Sequence, residues 1–152
     1  MTRPLQSPSR RDGTLSRPSM LLLLLVCLSF TAHAATLSKK YQLEKNRPMG
    51  LDLAAGKVRA EQVIFEFPGS VLRLETAGKA RVTVVNGSAG KVRVGLALAL
   101  YDESGNLVAA GTGGNKGGQV APGETVEFSI FFYYVTEQLS TASSFQITLE
   151  AK

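Results

Sequence analysis

The sequence predicts an all-β protein, an antiparallel β-sandwich of seven to eight strands. Three observations predict it. The segment 91–100, KVRVGLALAL, places Val92, Val94, Leu96, Leu98 and Leu100 at every second position, the period of a strand with one face buried. Similar alternations recur as far as Leu149, punctuated by Pro68-Gly69, Asn86-Gly87 and Pro122-Gly123, as in a sandwich of short strands. No segment carries the 3.6-residue period of an amphipathic helix.

The chain opens on a segment that reads as an export signal. Leu21 to Phe30 is a run of ten apolar or small residues, too short for a bilayer crossing of about 20 residues. Ala32-His33-Ala34 follows as a small-x-small cleavage pattern, and Arg10, Arg11 and Arg17 supply the positive flank. A start at Met20 instead of Met1 would leave no Lys or Arg ahead of the apolar run. Ser9-Arg10-Arg11 resembles a twin-arginine signal, but Asp12-Gly13 stand where an apolar residue is wanted. Cys27 lies inside the apolar run, where it serves as a small hydrophobe and not as a lipid-anchor cysteine. The expected division is a signal peptide at 1–34 and one domain at 35–152, which is periplasmic or secreted after cleavage near Ala34.

Cleavage leaves 118 of the 152 residues, enough for a core of ordinary size. It removes His33 and Cys27, the single His and Cys, and the chain has no Trp. The net charge of +5 falls to +2, because Arg3, Arg10, Arg11 and Arg17 leave with Asp12. No clustered basic face points to nucleic acid.

The strands follow in order. Thr36 to Lys45 is a first strand with Leu37, Tyr41 and Leu43 apolar, broken by Asn46 to Gly50; Leu51 to Gly56 reads equally as loop or strand. Val58 to Phe67 alternates clearly, with Val63, Phe65 and Phe67 on one face. Val71 to Thr76 and Lys79 to Val85 come next, and Asn86-Gly87 predicts a hairpin because both residues tolerate positive φ. The strand at 91–100 turns at Asp102 to Asn106 into a partner from Leu107 to Ala110, followed by a Gly-rich loop at 111–118. Glu124 to Val135 is the longest strand, with Val126, Phe128, Ile130, Phe132 and Tyr134 inward. Phe145, Ile147 and Leu149 mark the last.

Leu98-Ala99-Leu100-Tyr101-Asp102, Gly105, Pro122-Gly123-Glu124 and the Phe-rich strand after them resemble the FxLYD-type domain of exported prokaryotic proteins. The likeness spans about Lys79 to Leu149. Leu98 stands where that family has Phe. The resemblance implies an immunoglobulin-like sandwich acting as an accessory or binding domain, and it brings no catalytic or ligand-binding residues with it.

Candidate sites are few. Phe131, Phe132, Tyr133 and Tyr134 alternate across the longest strand, so Phe132 and Tyr134 face the core while Phe131 and Tyr133 face outward. That outer pair is either covered by another element or placed to pack on a protein or a sugar. Asn115 and Lys116 sit at the tip of the Gly-rich loop, a second candidate contact. The loop lacks the Gly-Lys-Ser/Thr order of a phosphate cradle. Asp102, Ser104 and Asn106 place oxygens at the alternating positions that Ca²⁺ loops use, but no terminal bidentate carboxylate follows. A hairpin turn capped by Asp102 explains them without an ion. Asn86-Gly87-Ser88 matches a glycosylation sequon and also reads as a turn. Without His or Cys, the commonest catalytic bases and thiol nucleophiles are missing.

The sequence therefore points to a non-enzymatic binding or assembly module that needs no cofactor. Its expected partner is another protein in the periplasm or outside the cell, and open edge strands also allow self-association. It is not expected to span a membrane. The alternatives are a small-ligand domain for carbohydrate or Ca²⁺, and a hydrolase built on paired carboxylates.

Overall fold

The computed structural model describes residues 34–67, 78–115, 117–133 and 138–152. The signal segment, the strand expected at Val71 to Thr76, Lys116 and Tyr134 lie outside the described residues. Eight strands are present among those described: β1 (Ala35–Gln42), β2 (Pro48–Ala55), β3 (Val58–Glu66), β4 (Gly78–Asn86), β5 (Val94–Tyr101), β6 (Leu107–Gly114), β7 (Thr125–Phe132) and β8 (Ser144–Ala151). They form two four-stranded sheets, ordered β1-β8-β5-β6 and β2-β3-β4-β7, with every neighbouring pair antiparallel.

Two crossings between the sheets interlock. The chain passes from β4 in one sheet to β5 in the other, and again from β7 to β8, while β4 pairs with β7 and β5 with β8. Immunoglobulin sandwiches carry the same central arrangement. The core lies between the sheets. Leu96, Leu98 and Leu100 of β5, Ile147 and Leu149 of β8, Val82 and Val84 of β4 and Ile130 and Phe132 of β7 are all buried. The strict alternation of these positions is what drives one face of each strand inward. Phe65 of β3 meets Phe145 of β8 edge to face at 4.8 Å, and Tyr41 of β1 stacks on Phe145 at 5.3 Å. Each fully buried Phe contributes about 2–3 kcal/mol by leaving water.

Four sequence expectations are corrected. Asn86-Gly87 is no hairpin, because β4 and β5 lie in different sheets; the segment makes the first crossing. The break expected at 46–50 shrinks to the turn at Asn46, whose φ is 57°, and β2 begins at Pro48. Pro is tolerated there because β2 is an edge strand and Pro48 opens it. The loop expected at 111–118 is strand as far as Gly114. Val92 lies outside β5, half-buried and bridged to Val120.

Candidate functional site

β7 positions the outer aromatic pair. Its inward residues Phe128, Ile130 and Phe132 are buried, alternation turns Phe131 to the outer face, and Tyr133, the residue just past the strand's end, stacks beside it. Phe131 is 41% exposed and Tyr133 is 59% exposed. No described element buries them. The rings stack on each other, with centroids 5.4 Å apart and planes 21° from parallel. Mutual stacking fixes both rings and hides part of each from water.

A groove of about 730 Å³ runs between the edges of β6 and β7 beside this pair. Phe131, Tyr133, Ser129 and Glu127 line one side, and Thr112 and Asn115 line the other. Asn115 thus joins the aromatic pair at one surface. It is held by backbone pairing: its N–H donates to the Val94 carbonyl at 3.1 Å, and its Oδ1 accepts from the Val94 N–H at 3.1 Å. Thr112, Glu127 and Ser129 are lining residues that the sequence patterns above do not single out. Alternation on β6 and β7 places them there once β6 is read to its full length.

Glycine brings the two edges together. A Cβ on Gly111 would lie 2.8 Å from Ile130 Cγ2 and 3.0 Å from the Phe131 carbonyl oxygen; on Gly113 it would lie 2.7 Å from Ile130 Cγ1. The glycines therefore provide close approach of backbone to neighbour, not a mobile tip.

A row of charged residues crosses the same outer face. Glu66 of β3 pairs with Lys79 at 2.9 Å and Arg81 at 2.7 Å on β4, and Arg81 reaches Glu127 of β7 at 3.4 Å. The bond from Lys79, helped by Arg81, holds the Glu66 carboxyl below its ordinary range. Lys79 stands directly across the ladder from Phe131. The aromatic pair thus sits at the end of an ion-pair row.

The other candidate positions are engaged in the fold. Asp102 Oδ1 accepts the Asn106 N–H at 2.8 Å and Oδ2 accepts the Asn106 amide at 3.0 Å, while Gly105 takes φ of 82°. These bonds to Asn106 lower the Asp102 pKa. Asp102 and Asn106 are joined as a turn cap, and Ser104 is exposed in the same turn. Within the resemblance motif, Leu100 is fully buried and Tyr101 carries Lys40 Nζ 5.0 Å above its ring.

Asn86 is 0% exposed. Its Nδ2 donates toward the carbonyls of Gly90 at 2.8 Å, Val120 at 3.0 Å and Ala121 at 3.1 Å. Its Oδ1 accepts from the N–H and hydroxyl of Ser88. The sequon nitrogen is therefore closed to a glycan in the folded chain.

Several described carboxylates have visible structural partners: Asp52 with Lys39, Glu61 with Arg59, Glu150 with Lys152, and Glu124 accepting the Ala121 N–H. Among the described residues no group of three His, Cys, Asp or Glu could hold a metal ion, and no helix is long and apolar enough to cross a membrane. Comparison with protein-family models and with curated proteins finds no match for this chain.

Proposed function

We propose that this chain is an exported, non-enzymatic binding or assembly module. It engages another protein, in the periplasm or outside the cell, through the Phe131–Tyr133 pair and the adjoining groove. The observation that carries this reading is the exposure of two stacked aromatics at the end of an edge strand, beside a row of ion pairs that runs across the neighbouring strands. Aromatic side chains are the commonest anchors of protein interfaces, and ordering them costs little entropy. Here the mutual stack has already ordered them. The signal-like segment ahead of Ala35 supports export, and the FxLYD-type likeness supports an accessory role.

The test pairs the wild-type chain with Phe131→Ala/Tyr133→Ala as baits against the exported fraction of the source cells. A partner held by the wild type and weakened about tenfold or more by the double change supports the proposal. Equal retention by both baits sinks it. A glycan or Ca²⁺ that raises the thermal midpoint of the wild type but not of the variant would transfer the same surface to the small-ligand reading.

A further inference from the structure

We infer that Asn86-Gly87 is a self-modification site that folding holds shut and that unfolding opens, with a product that cannot return to the native sandwich. This rests on the β4–β5 crossing and is independent of the aromatic surface.

The chemistry is intramolecular deamidation. The Gly87 nitrogen attacks Asn86 Cγ, the N–Cγ bond forms, the Cγ–Nδ2 bond breaks, and ammonia leaves with the proton lost from the Gly87 amide. Water then opens the resulting succinimide to aspartate or isoaspartate. Glycine favours the attack because it has no side chain to obstruct it and its backbone is the least restricted. The other asparagines, Asn46, Asn106 and Asn115, are followed by Arg, Leu and Lys.

The fold blocks each requirement of the attack. The Gly87 N–H, which must be lost, donates to the Lys57 carbonyl at 2.9 Å. The amide that must rotate is gripped at both ends, Nδ2 by three carbonyls and Oδ1 by Ser88. The backbone is pinned as well: Asn86 N–H donates to Glu124 O at 3.0 Å, and Gly123 N–H donates to Asn86 O at 2.7 Å. Asn86 is also shielded from water.

The product does not fit the same place. Aspartate would put an oxygen where Nδ2 now meets three carbonyl oxygens at 2.8–3.1 Å, turning donation into repulsion at a buried charge. Isoaspartate would add a methylene to the main chain at the crossing between sheets. The native state thus protects the residue on which its own crossing depends, and a chain left unfolded loses that residue permanently.

The experiment incubates the full chain at one mildly alkaline pH and temperature, folded in buffer and unfolded in guanidinium, and follows all four asparagines by peptide mass spectrometry. Denaturant is then removed and the aged chain is examined by near-ultraviolet circular dichroism. Asn86 is expected to convert first among the four in the unfolded chain, and at least about 100-fold more slowly in the folded one, since reaction must await an opening of the crossing. The converted fraction is expected not to regain the native spectrum. A smaller protection of Asn86, a faster-converting asparagine elsewhere in the unfolded chain, or native refolding of converted chains would each overturn the inference.

Discussion

Asn86 and Asp102 show how much one polar side chain can hold in a sandwich without disulfides. Asn86→Ala strips partners from three carbonyls and from Ser88 in a site closed to water. We expect a loss of about 2–4 kcal/mol in chemical denaturation, larger than an ordinary surface change. Asp102 and Glu66 act through charge. Both have folded-state pKa values below their ordinary ones, Asp102 through Asn106 and Glu66 through Lys79. Their stabilisation is complete above the unfolded-state pKa and is lost as pH falls through the folded-state value. The thermal midpoint should therefore decline from about pH 5 downward, and Asp102→Asn should flatten that decline. An unchanged slope in the variant would remove Asp102 from the account.

At the scale of elements, β6 is the test of the glycine argument. Gly111→Ala forces a methyl against Ile130 and the Phe131 carbonyl, so we expect a loss of about 1–3 kcal/mol in urea unfolding. A Cβ at Gly118 would meet nothing within 4 Å, and Gly118→Ala should leave stability unchanged. Equal effects would favour a loop over a strand at 111–114. The same strand shows where sequence reading stops. β3, β4, β5, β7 and β8 are legible because their buried residues alternate with little interruption. β6 reads short because glycine signals a loop locally, while its use as a spacer depends on Ile130, which is distant in sequence. β2 alternates at Met49, Leu51, Leu53 and Ala55, but Pro48 and Gly50 at its start signal a break and hide the strand. Asn-Gly at 86–87 is a true local turn signal without a destination, since a hairpin and a crossing differ only in which strand is met next. The aromatic pair is legible as an outer pair from alternation alone; its exposure is not, because cover would come from elsewhere in the chain.

The whole molecule closes its sides by different means. On one side Lys39 of β1 reaches Asp52 of β2 at 2.9 Å, joining the edge strands of opposite sheets by an ion pair. On the other, the glycines of β6 seat against β7. Pro48 and the bulge in β2 further discourage edge pairing. The outer aromatic pair stands apart from these devices, as surface held ready and not as core. Chemical denaturation of two variants tests that claim most directly. Phe132→Ala, in the core on the same strand, should lose about 3–5 kcal/mol, whereas Phe131→Ala/Tyr133→Ala should lose no more than about 1 kcal/mol. A double variant as unstable as Phe132→Ala would mean that the pair belongs to the core, and the proposed contact surface would fall with it.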